Sequence, residues 1–164
     1  MIYFIADTHF NHYNIIKYCN RPFKTVDEMN NKIIENWNNK VTDKDDVYVL
    51  GDFCFGLKGS QEIFNSLKGK KYLVQGNHDK ESVKLEGWQW IKNYYELSTN
   101  NKYFVLFHYP MRSWNASFHG SYHLYGHCHG TLENDRIKNS MDVGVDKWNF
   151  TPISIWEVCQ YLII

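Results

Sequence analysis

Five short apolar segments, rich in β-branched and aromatic residues, each run directly into an aspartate, an asparagine or a histidine. "IYFIA" (2–6) leads to Asp7 and His9, "DVYVL" (46–50) to Asp52, and "KYLVQ" (71–75) to Asn77 and His78. "YFVLF" (103–107) leads to His108, and "YHLY" (122–125) to His127 and His129. Segments of this length and composition read as buried strands. In open α/β sheets ligands bind outside the carboxyl ends of the strands, so five ends that deliver polar groups predict one shared crevice. Helices are expected between the strands. "TVDEMNNKIIENWNNK" (25–40) opens with Thr25 and Glu28 at capping-box spacing and places Met29, Ile33 and Trp37 on one face. A second helix is expected over 60–68, closed by Gly69, and the C-terminus reads as a strand starting at Pro152 followed by a short helix. The pattern is that of an α/β protein.

The chain has 164 residues, 43% of them hydrophobic, with no internal repeat or Pro/Gly/Ser linker, which predicts one domain over 1–164. Its 18 acidic and 18 basic side chains cancel, which argues against wrapping a long nucleic acid and leaves room for a small anionic substrate. The four cysteines, Cys19, Cys54, Cys128 and Cys159, form no C-x-x-C pair, so neither a disulfide framework nor a thiolate zinc site is expected. "MIYFIAD" lacks the basic region of a signal peptide and no apolar run approaches membrane-spanning length. A cytoplasmic protein that works in a reducing compartment and does not enter a membrane is the expectation.

Asp7 and His9 are two residues apart, and in extended backbone both side chains would point to the same side. His127 and His129 repeat that stride in "LYGHCHG", where Gly126 and Gly130 leave room for close backbone approach and Cys128 is expected to point away. Two carboxylates, one amide oxygen and four imidazoles are too many donors for one tetrahedral site. They suit two divalent ions if Asp52 bridges, and ions about 3.5–4 Å apart recur in phosphoester chemistry. Oxygen and nitrogen donors without a thiolate favour manganese, iron, zinc or nickel, with manganese the expected pair. Two dications against two carboxylates leave an excess positive charge that attracts phosphate and lowers the pKa of a water shared between the ions. His78, left over from the donor set, is the expected general acid for the leaving oxygen.

"DTH", "GD", "GNHD", the histidine of "FHYP" and "GHCH", in this order over residues 7 to 129, resemble the motifs of the calcineurin-like metallophosphoesterases. The resemblance implies a sandwich of two β-sheets flanked by helices. It further implies that Asp7, His9, Asp52 and His129 hold one metal, that Asp52, Asn77, His108 and His127 hold the other, and that His78 is the acid histidine. Protein phosphatases of the family extend "GD" with an aspartate and an arginine three and four places on, where this chain has Phe55 and Gly56. That departure, with "GNHD" in place of "GNHE", directs the expectation toward the phosphodiesterase-like branches.

The expected function is hydrolysis of small, nucleotide-type phosphodiesters at a dinuclear metal centre, with Asp52, Asn77 and His78 as its catalytic residues. A phosphomonoesterase is the alternative within the enzymes. A non-catalytic scaffold or binding module of the same fold is the alternative outside them, although such a module would be expected to lack a ligand or the acid histidine, and this chain lacks neither. For substrate contacts the candidates are His12, three residues beyond His9, and Arg112 and Trp114 in "YPMRSWNASFHGSYH", which offer a guanidinium and an aromatic face near His108. A packed flap is the alternative for that loop, which also holds Phe118, His119 and His123. Arg21 has a weaker claim on phosphate. Asp142 and Asp146 in "MDVGVD" are expected to serve strand ends or turns rather than metal.

Overall fold

The computed structural model describes residues 1–99, 101–132 and 137–163. Strand β1 (Ile2–Ile5) is followed by helices α1 (Tyr13–Tyr18) and α2 (Val26–Lys40), then β2 (Asp46–Val49), helix α3 (Ser60–Ser66) and β3 (Lys70–Val74). There follow β4 (Ile91–Lys92), β5 (Tyr95–Thr99), β6 (Lys102–Leu106), β7 (Tyr122–Tyr125), β8 (Ser140–Asp142), β9 (Ile153–Ser154) and helix α4 (Ile155–Ile163). They form two mixed sheets, one ordered β4-β3-β2-β1-β9 and the other β5-β6-β7-β8, with flanking helices. The expected two-sheet sandwich is therefore the observed architecture. Among the described residues no helix is long and apolar enough to cross a membrane.

Alternation along the central strands explains why their sequences are apolar throughout. Tyr3 and Ile5 of β1, Val47 and Val49 of β2, and Leu73 of β3 face a core that includes Met29, Ile33 and Trp37 of α2. Phe4, Ala6, Tyr48, Leu50 and Val74, on the opposite face, join Phe104, Leu106, Leu124 and Met141 of the other sheet in a second core. Each strand thus buries both of its faces, one against helix and one against sheet. Helix α2 begins as its capping pattern predicts, with the Thr25 side chain accepting the Glu28 N–H at 3.1 Å. The reciprocal bond lands one residue early: the Glu28 carboxylate accepts the Lys24 N–H at 2.8 Å.

The five strands expected from the apolar runs are present to within a residue at each end, whereas β4, β5, β8 and α1 had no sequence signal. Strand β4 has two exposed residues, β8 has only three, and β5 is an edge strand. Helix α1 has six residues, no side-chain cap and no acid in its first turn. Parallel pairing of β1, β2 and β3, and separately of β6 and β7, points the carboxyl ends within each group the same way. A bridge between Ala6 and Gly144 ties the end of β1 to the segment after β8, so the two groups of ends meet at a seam between the sheets.

Trp37 is fully buried in the helix-side core, and its indole N–H donates to the Lys68 carbonyl at 2.9 Å. Trp37→Ala is expected to cost about 3–5 kcal/mol of stability, read as a lower urea midpoint at unchanged slope.

Candidate metal centre

The backbone at the seam is unusual before any side chain is considered. Asp7, His9, Asp52, His127 and His129 all have positive φ, between 49° and 68°. Non-glycine residues in this left-handed region are strained, and such residues cluster where function over-determines the geometry. Five of the seven expected donors are held this way. This revises the reason that Asp7 and His9, or His127 and His129, act together: β1 and β7 end at Ile5 and Tyr125, and left-handed turns rather than an extended stride gather the side chains. Two glycines allow the crowding. A Cβ on Gly51 would collide with the His108 ring, and one on Gly76 with the Asp52 carboxylate.

Two groups of donor atoms result, each within 4.8 Å: Asp7, His9 and His129 in one, Asp52, His108 and His127 in the other. Asp52 stands between them, with Oδ2 at 3.6 Å from His9 Nε2 and 3.5 Å from His108 Nε2. Its Oδ1 accepts the His78 N–H at 2.8 Å. Asn77 Oδ1 lies 3.1 Å from both His108 Nε2 and His127 Nδ1. The His108 Nδ1–H donates to the Leu50 carbonyl at 2.7 Å, which commits the other nitrogen to the donor cluster.

These residues fit a pair of cations. His9 Nε2 is buried and has no hydrogen-bond partner, an arrangement that is costly unless something electrophilic meets it. Burial also pushes the His9 pKa down to about 2, so its imidazole is neutral and keeps a lone pair to give. Asp7 is fully buried, and that burial pushes its carboxyl up to about 8 although His129 and His108 oppose the shift. A carboxylate in such surroundings needs a nearby positive charge to ionise. At Asp52 burial also opposes the charge, but the His108 contact and the His78 N–H outweigh it and hold the carboxyl down at about 2.

Two aspartates outside the expected donor set hold this cluster in shape. Asp79, fully buried, accepts the N–H groups of Asp52 and Phe53 at 2.8 Å and of Gly76 at 2.7 Å. It locks the loop after β2 to the loop after β3. Its one sequence signal was the last letter of "GNHD". Asp146, read from sequence as a turn residue, instead accepts the His129 Nδ1–H at 2.7 Å and pairs with Arg21 through Nε at 2.7 Å and Nη2 at 2.8 Å. Arg21 also donates to the Asp7 carbonyl at 2.7 Å and the Thr8 carbonyl at 3.1 Å. Arg21 is thus a buried brace and not a phosphate ligand. Cys19 joins His129 and Asp146 in a third group of possible metal donors, but the Asp146 charge is already matched by Arg21. Asp142 keeps its expected turn role, accepting the Gly130 and Gly144 N–H groups at 2.9 and 2.7 Å.

A cavity of about 570 Å³ opens over the cluster, lined by His9, Asp52, Asn77, His78, His127 and His129 on one side. His12, Tyr18, Asn20 and Cys128 line it as well, and Cys128 belongs to neither donor group. The other two substrate candidates lie elsewhere. Arg112 borders a different cavity with Met111 and Tyr125. Trp114 is buried against the ring of His123 at 5.2 Å, with its indole N–H given to Ser121. It covers the outer face of the second sheet, a tertiary need that a loop sequence does not advertise. The position where phosphatases carry an aspartate is occupied by Phe55, whose ring stacks on His12 with centroids 4.4 Å apart and 13° between planes.

The sequence model of the calcineurin-like phosphoesterase family matches residues 1–153. The chain belongs to that family. As a calcineurin-like phosphoesterase it is 40% identical over 162 residues to an uncharacterized protein of Methanocaldococcus jannaschii, covering 94% of this chain and 86% of that one. Among solved structures, a protein of unknown function from Aquifex aeolicus superposes with a TM-score of 0.83 at 28% identity, covering 98% of each chain. An archaeal phosphodiesterase shares the fold, with a TM-score of 0.52 at 19% identity over 87% of this chain and 81% of that one.

Removing Asp79 would leave three N–H groups around the Asp52 loop without their acceptor. Asp79→Ala is expected to lower stability by about 2–4 kcal/mol, and a denaturant titration that shows less than about 0.5 kcal/mol would remove the loop-locking role assigned to this residue.

Proposed function

We propose that this phosphoesterase is a dinuclear-metal phosphodiesterase acting on small nucleotide-type substrates. The observation that carries the reading is Asp52 set between two donor groups, with the buried, unpartnered His9 Nε2 facing it. Asp7, His9, Asp52 and His129 would hold one ion, and Asp52, Asn77, His108 and His127 the other, with manganese proposed among the metals that this oxygen and nitrogen set suits, which include iron, zinc and nickel. Such ions supply Lewis acidity toward phosphoryl oxygens and make hydroxide available near neutral pH.

The chain's own groups do the rest. His78 borders the cavity on a loop fixed through its backbone N–H to Asp52, within reach of a leaving oxygen that it would protonate. The rings of His9 and His12 lie near it, with centroids at 5.6 and 6.4 Å. Among the described residues no lysine or arginine lines the cavity. A singly charged diester needs less positive charge than a doubly charged monoester, and this favours the phosphodiesterase over the phosphomonoesterase.

Manganese-reconstituted protein is expected to hydrolyse bis(p-nitrophenyl) phosphate faster than p-nitrophenyl phosphate, and fully loaded protein inert toward both would refute the proposal. His78→Ala is expected to reduce the rate roughly 10²–10⁴-fold with both metals retained. Asp146→Asn removes the carboxylate that orients His129 and is expected to weaken binding of one of the two ions by roughly 10–100-fold, measured by calorimetric titration of manganese into metal-free protein.

A further inference from the structure

The cavity has a second wall that hydrolysis alone does not require. Beyond the donor cluster it is lined by His12, Ile15, Tyr18 and Asn20, the first at the N-cap of α1, with Nδ1 3.4 Å from His9 Nδ1, and the last just past the helix end. Tyr18 is 74% exposed, and Phe55, which backs His12 from outside the cavity, is 53% exposed. The His12 ring is stacked on Phe55 and meets the Tyr18 ring edge-on at 6.4 Å. These exposed aromatic side chains lie beside a polar cavity, where a ligand's flat ring could cover them.

The wall is also rigid. Ile15 and Ile16 bury α1 in the helix-side core. Asn20 then turns the chain with φ of 48°, and Arg21 pins it to the Asp7 and Thr8 carbonyls. The backbone that carries Tyr18 is therefore anchored beside the donor groups that would hold the ions.

We propose that Tyr18 and the Phe55-backed His12 form a stacking subsite that takes the planar heteroaromatic base of a nucleotide whose phosphate lies at the donor cluster. The inference rests on the phosphodiesterase reading above and supplies its substrate class. With the two ring planes 79° apart, a planar base would stack on one ring and meet the other edge-on, and base–aromatic stacking is tolerant of base identity. The Asn20 side-chain amide adds a donor and an acceptor suited to a base edge, and the Thr131 hydroxyl, whose proton goes to the Cys128 carbonyl at 2.7 Å, adds an acceptor, both on residues lining the same cavity. The lack of lysine and arginine among the described lining residues argues against a second phosphate in that half of the cavity. A volume of about 570 Å³ falls in the range of small-molecule sites.

The test compares adenosine 5′-monophosphate with ribose 5-phosphate, which share the phosphate and sugar but differ in the base. Both are titrated calorimetrically into manganese-loaded protein. The nucleotide is expected to bind roughly tenfold more tightly, and Tyr18→Ala and Phe55→Ala are each expected to bring the ratio toward one. Both side chains are largely exposed, so these variants should keep the fold, which circular dichroism checks. Equal binding of the two ligands by the unaltered protein, or a base preference that survives both substitutions, would overturn the subsite. A base preference lost in the variants, in a protein that cleaves no phosphodiester, would uphold the subsite and discard the activity. Phosphodiester cleavage without any base preference would do the reverse.

Discussion

Carboxylates and imidazoles crowded together away from water repel, lose hydration and tend to neutralise one another unless fixed dipoles and opposite charges hold them. At the seam of this protein that constraint is met by a few buried contacts. Asp79 gathers three backbone N–H groups, and Arg21 spans from Asp146 to the carbonyls of Asp7 and Thr8. These contacts brace the left-handed residues Asp7 and Asp52, and the Asp7 carboxylate in turn accepts the His127 N–H at 2.8 Å. The cluster is braced by backbone hydrogen bonds and one buried guanidinium, and by the Asp52 carboxylate, which also faces the cavity and accepts the His78 N–H.

The two cores have different duties. The helix-side core, centred on Trp37, Ile33 and Phe53, fixes where the loops after β1 and β2 emerge. The core between the sheets, built on Phe4, Leu50, Leu106 and Leu124, sets how closely the second sheet's loops approach the first. The donor cluster lies where both distances are specified, which is why it can be tight without being covered.

Much of this was legible in the chain. Buried strands announce themselves by runs of β-branched and aromatic residues, and the residue after each run is a strand end whatever the rest of the fold does. Asp7, His9, Asp52, Asn77, His78, His108, His127 and His129 could therefore be grouped before any coordinates. The bracing residues could not. Asp79 and Asp146 find partners that are backbone groups, or a side chain brought near by a turn, and no periodicity encodes those meetings. Trp114 misled for the opposite reason: an aromatic residue in a polar loop looks available for stacking, yet the outer face of the second sheet claims it. The left-handed turns were hidden too, since aspartate and histidine carry no label for positive φ as glycine does.

Each donor group draws from both sheets. Asp7 and His9 follow β1 while His129 follows β7, and Asp52 follows β2 while His108 and His127 follow β6 and β7. Neither half of the sandwich owns a complete group. Separating the layers by even a few ångströms would dismantle both at once, so ions bound there would be coupled to the docking of the sheets. Any ion held there acts as a rivet across the sandwich.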